Sequence, residues 1–146
     1  MVAMNRRTIL LGGAAVLAGC SFNIKVELPR IQISADRITN WIAAKFNSWA
    51  PALVNAVKAE NAKIQAMTVA GGWGPLAREI IGGFIKAAQA ILSAASTIAP
   101  ILGIPLAALK LAGEVIAALS AFSNLAGAGA VPSLDDADKA LAELGV

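Results

Sequence analysis

Large apolar residues return every three or four positions through most of this chain, and that spacing limits it to helices. Ile38, Ile42, Phe46, Trp49, Leu53, Val57, Ile64 and Met67 form the first such stripe, with Lys45, Lys58, Glu60 and Lys63 on the opposite, wet face. Ser34 is expected to cap this run, with Asp36 in its first turn. Pro51 lies inside the run and lacks a backbone donor, so the helix should break near residues 48–50. Gly71-Gly72-Trp73-Gly74 then reads as a loop, with Pro75 suited to open the next helix. It lacks the Lys and Ser/Thr of a phosphate-binding loop, so it is read as a turn. A second helix is expected over 76–99, striped by Ile80, Phe84, Ile91, Ala95 and Ile98. A third is expected over 106–125, striped by Leu109, Ile116, Leu119 and Phe122. The segment 100–105, with a proline at each end, turns between them. The expected fold is all-α, a small helical bundle with a central antiparallel helical hairpin.

Each hairpin helix also carries a stripe of small residues. These are Gly83, Ala87, Ala90 and Ala94 in the first, and Gly113, Ala117, Ser120 and Asn124 in the second. Such stripes let two helices approach closely. Ahead of the bundle the period is two. Ile24, Val26 and Leu28 alternate with Asn23, Lys25 and Glu27, so a short extended segment is expected, interrupted by Pro29. Behind it, Gly127-Ala128-Gly129-Ala130 reads as a flexible joint. Ser133 then opens a short acidic helix edged by Leu134, Leu141 and Leu144, with Asp136 at capping-box spacing.

Residues 4–20 follow a different grammar. Arg6-Arg7 is a positive opening, 9–18 is a short apolar run, and small residues lead to Cys20. The run is too short for a spanning helix and has the layout of a secretory signal. Leu17-Ala18-Gly19-Cys20 resembles the lipobox of bacterial lipoproteins at every position. The resemblance implies that the Cys20 thiol receives a diacylglyceryl group, that the chain is cut before it, and that the new amine is acylated. It also implies, from Ser21 in place of Asp, an outer-membrane address facing the periplasm. Arg6-Arg7-Thr8-Ile9-Leu10 looks in addition like a twin-arginine export signal. Asn5 departs from the usual Ser or Thr, no Lys follows Leu10, and two arginines equally serve the general secretory route. The chain therefore divides into a signal peptide (1–19), a lipidated extended tether (20–33), a helical domain (34–130) and a short C-terminal acidic helix (131–146).

Charge excludes more than it assigns. The net charge of +3 includes Arg6 and Arg7, so the part after the signal carries only +1. That gives no ground for a nucleic-acid partner. Residues 37–110 carry seven Lys or Arg against Glu60 and Glu79, while 111–146 carry Lys139 against five carboxylates. The two regions are expected to pair with each other, or the basic one to face anionic lipid. The chain has no His and no Tyr, and Cys20 is its single cysteine. The commonest general base and zinc ligand are thus missing, and no nucleophile–base pair can be drawn. Asp135, Asp136 and Asp138 lack the glycine and closing Glu of a calcium loop. No enzyme, no metal and no cofactor beyond the lipid at Cys20 are expected.

Hydrophobic residues make up 58% of the chain and charged ones 14%, against 45–50% and about 25% in ordinary soluble domains. This pushes the chain toward membrane contact or a tightly buried helical assembly. Residues 87–109 carry no charge and are long enough to span a bilayer. Their Leu and Ile residues, however, contribute only about −2 to −5 kcal/mol on the insertion scale. Gln89, Ser93, Ser96, Thr97, Pro100 and Pro105 offset most of that, so a packed hairpin is the expectation. Trp41, Trp49 and Trp73 are candidate membrane-interface contacts, since indole favours the headgroup zone. For Trp41 and Trp49 the stripe positions favour the core. The partners expected are membrane lipid and other envelope proteins or a second copy. The overall reading is a non-catalytic, lipid-anchored envelope protein, with a membrane-active helical protein (toxin, lysis factor or pore subunit) as the alternative.

Overall fold

The computed structural model describes residues 23–123 and 133–146. Cys20, Arg6, Arg7, Ser21 and the glycine–alanine joint lie outside the described residues. The described residues form six helices: α1 (Ile24–Phe46), α2 (Pro51–Gln65), α3 (Pro75–Ala95), α4 (Ala99–Leu102), α5 (Leu106–Ser123) and α6 (Asp135–Leu144). A single 3-10 turn (Val69–Gly71) follows α2, and no strand occurs among the described residues. The all-α helical bundle is therefore what the chain adopts.

The extended segment expected ahead of the bundle is helix instead. α1 begins at Ile24, where the Asn23 side chain accepts the Lys25 N–H at 3.1 Å, and Glu27 sits in the favourable first turn. Ser34, the expected cap, is buried in mid-helix. The reason lies in a second pattern within the same residues. Leu28, Ile31, Ala35, Ile38 and Ile42 step by three and four, and all are at most 2% exposed. That stripe buries five apolar side chains together, whereas the alternation leaves Val26 52% and Ile33 58% exposed. Pro29 costs one helical hydrogen bond but stands on the solvent side, where its ring meets no packed neighbour.

Pro51 acts as expected. α1 ends at Phe46, whose carbonyl accepts the N–H groups of Trp49 and Ala50, and Pro51 becomes the first residue of α2. Pro75 opens α3 in the same way. α3 stops at Ala95, short of the expected 99, and α4 starts at Ala99 and runs into the expected turn at 100–105. Gly103 ends α4 at a φ of +76°, a conformation open to glycine at little cost.

α1 contacts α2, α5 and α6; α3 lies against both α2 and α5; α5 and α6 pair. Directions follow from side-chain register. Gln32 meets the end of α2 near Ile64, and Asp36 meets Asn61 further back, so α1 and α2 run in opposite senses. Arg30 meets Asp135 while Arg37 donates to the Val146 carbonyl, so α6 runs with α1. The core centres on Phe46, Phe84 and Phe122 with Ile31, Ile38, Ile81 and Ile91 around them. Each such side chain contributes roughly 1.5–3 kcal/mol by leaving water.

The small-residue stripes do not make the helix contacts. Ala90, Ala94, Gly113 and Ala117 are exposed, and Gly83 instead lets the Glu60 carboxylate of α2 lie close to α3. The apolar arc of α3 and α5 is wider than the bundle can cover. The larger side chains gain more per residue from burial and take most of the inside, together with Ala88, Ala95 and Ala112, while Ala90, Ala94 and Ala117 face water.

Candidate functional site

A groove and the loop beside it shape the end of the bundle where α1 begins. The loop after α2 lies at that end. The Gln32 amide donates to the carbonyls of Ile64 and Met67, both at 3.0 Å, and the Gln65 amide donates back to the Gln32 carbonyl at 2.8 Å. This exchange ties the loop to the amino-terminal half of α1 and satisfies carbonyls that α2 leaves open at its end. Thr68 Oγ1 accepts the Gly71 N–H at 3.2 Å and shapes the 3-10 turn, and Gly72 at φ +73° redirects the chain toward Pro75. The result is a groove of about 570 Å³ between the end of α2 and the start of α3. Met67, Leu76, Ala77 and Ile80 give it an apolar lining, and Lys63 stands at its side, paired with Glu60 at 2.9 Å. Leu76 is 68% exposed and Val69 39%.

The three tryptophans take up packing positions. Trp41 is 3% exposed, with its ring edge-to-face on Phe46 at 5.8 Å. Trp49 meets the same phenylalanine at 6.1 Å, and Trp73 is half-buried, 6.5 Å from Phe122. Trp41 thus packs in the core, the place its stripe position favours, since an indole there buries more area inward.

A second groove, of about 650 Å³, separates α5 from α6. Glu114, Asp136 and Glu143 line it with Ser133 and Lys139. The sequence does not announce this cluster, because Glu114 comes from a different helix than the others. Among the described residues no group of three or more His, Cys, Asp or Glu could hold a metal ion. Leu134, Ala137, Ala140 and Leu141 seat the acidic helix in the core, and on its outer side the Arg30 guanidinium reaches Asp135 at 3.2 Å and Asp138 at 3.3 Å. Arg30 lies outside the basic region 37–110 that was expected to pair with this helix. Slight burial works against its charge, but the hydrogen bonds to Asp135 and Asp138 and the charges of Asp138 and Glu27 outweigh this and raise its pKa. Arg30 thus stays charged until strongly alkaline pH. Exposed pairs of this kind contribute at most about 1 kcal/mol.

No family model, curated protein or solved structure matches the chain. The functional reading therefore rests on its own residues. Among the described residues one helix, α5, is long and apolar enough to cross a membrane by length and composition. Its outer face is mostly alanine and glycine, but Lys110 and Glu114 are exposed on it. Moving either to the middle of a bilayer costs about 2.5–3.5 kcal/mol.

Proposed function

We propose that this is a non-catalytic lipoprotein of the bacterial cell envelope. Export under the signal at 1–19 ends with a lipid on Cys20, which holds the helical body at the periplasmic face of the outer membrane. The body acts there as a structural or interaction component, with membrane lipid, other envelope proteins or a second copy as partners. The observation that carries this reading is Leu17-Ala18-Gly19-Cys20 standing directly behind a short apolar run with an arginine pair before it. The absence of His and of any nucleophile–base pair in the sequence supports a non-catalytic role.

A membrane-active role is the second reading, and the composition of α5 is what favours it. Reconstitution of the full, processed chain into dye-loaded phospholipid vesicles separates the two. The protein is expected to float with the vesicles and to release no dye, even at high protein-to-lipid ratio. Dye release would install the membrane-active reading, and failure to float would remove the lipid anchor.

A further inference from the structure

We infer that the body makes a second, non-covalent contact with the lipid surface through the 66–76 loop and the first turn of α1; this rests on the lipid anchor proposed at Cys20. The step from Cys20 to Asn23 spans at most about 10 Å of extended chain. α1 then rises only about 6 Å from Ile24 to Leu28, and the loop is bound to α1 just beyond, through Gln32. An acyl group at Cys20 therefore places this end of the bundle against the headgroups. The side chains it presents there are apolar. Val26 is 52% exposed, Val69 39% and Leu76 68%, and Leu76 borders the open groove between α2 and α3. Burying large exposed apolar side chains in the interface is favourable without any charge attraction. Charge at this end is net acidic, since Lys25, Arg30, Lys63 and Arg78 stand against Glu27, Glu60, Glu79 and the start of α6 with Asp135, Asp136 and Asp138. Charge therefore does not draw this end to an anionic surface, and the contact is apolar and not weakened by salt. Of the remaining exposed apolar side chains, Ile33 stands on α1 one residue past Gln32 and Val146 lies just beyond α6, while Ile101 at 84% and Leu106 at 61% belong to the far end. Gly103, Ile104 and Pro105 lie beside Trp41, Lys45 and Leu144, about 20 Å farther along α1. The lipid surface cannot be shared by both ends of an upright body.

Cys20 is the sole cysteine, so once it is acylated Leu76→Cys introduces the single free thiol. The full chain carrying Leu76→Cys, Val69→Cys or Ile101→Cys would be labelled with a polarity-sensitive dye. Each would then be reconstituted into phosphatidylethanolamine–phosphatidylglycerol vesicles. Dye at 76 and 69 is expected to shift to shorter wavelength and to lose several-fold in quenching by aqueous iodide, while dye at 101 remains fully quenched. Equal quenching at 76 and 101, or protection at 101 instead, would overturn the inference. So would protection at 76 that appears only at high protein-to-lipid ratio, which assigns the face to a second copy. Labelling of the unsubstituted chain would show a free Cys20 thiol; the anchor itself then fails, and the second contact with it.

Discussion

Cys20→Ser is expected to reduce incorporation of radiolabelled fatty acid into the protein from stoichiometric to background. The same change should block the cut before residue 20. In the lipoproteins whose lipobox this segment resembles, diacylglyceryl transfer uses the cysteine sulfur as the nucleophile, and acylation of the amine follows the cut. A serine hydroxyl is far less ionised and less nucleophilic at neutral pH, so the substitution removes the reaction and leaves the rest of the signal intact. The energetic consequence is large. Each methylene buried in a bilayer contributes about 0.8 kcal/mol, and stable anchoring needs more than one chain. A processed lipoprotein carries several chains on this one residue, and no side chain elsewhere in the body approaches that attraction. Labelling in growing cells, followed by separation of outer and inner membranes, checks the expectation. Persistent label or an unchanged cut in the Cys20→Ser chain would place the acceptor elsewhere.

The second large effect concerns the body. Phe84→Ala is expected to destabilise the fold by about 3–5 kcal/mol, the cost of truncating a fully buried phenylalanine. Phe84 is 0% exposed, and it sits on the helix that touches both α2 and α5. The cavity therefore opens inside the buried core, on a helix packed against two others. Against a usual total of about 5–15 kcal/mol, that loss removes much of the margin. Thermal unfolding followed by circular dichroism should show Tm lowered by more than about 10 °C. Ile101→Ala, at a site 84% exposed, should stay within about 0.5 kcal/mol of the parent. Equal effects at the two positions would contradict the core described above.

Much of this architecture was legible in the residues. The stripe from Ile38 to Met67, the break at Pro51 and the helix opening at Pro75 depend on local spacing and on proline chemistry, and both act without knowledge of the rest of the fold. The first turns of α1 were not legible, because residues 24–33 satisfy a period of two and a period of 3.6 equally well over so short a window. Leu28 and Ile31 become helical only because α2, α5 and α6 offer a surface for the same side as Ala35 and Ile38. The alanine and glycine stripes misled for a related reason. Small residues permit close approach but do not require it, and larger neighbours claimed the inside. The acidic groove depends on Glu114 meeting a helix that follows it after a long interval, and the Gln32–Gln65 exchange joins two helix faces that no spacing rule connects. The proposed anchor is of another kind, since a lipobox-like run lies in consecutive residues and the helical body does not bear on it.

The most direct test of the account is the mass of the mature amino terminus. The protein, recovered from the envelope of a bacterium expressing the full chain, would be digested and its first peptide weighed. The account predicts a peptide beginning at Cys20 and heavier than its amino acids by a diacylglyceryl group and an amide-linked acyl chain. A peptide retaining residues 1–19, or one beginning at or near residue 20 with an unmodified thiol, would contradict it.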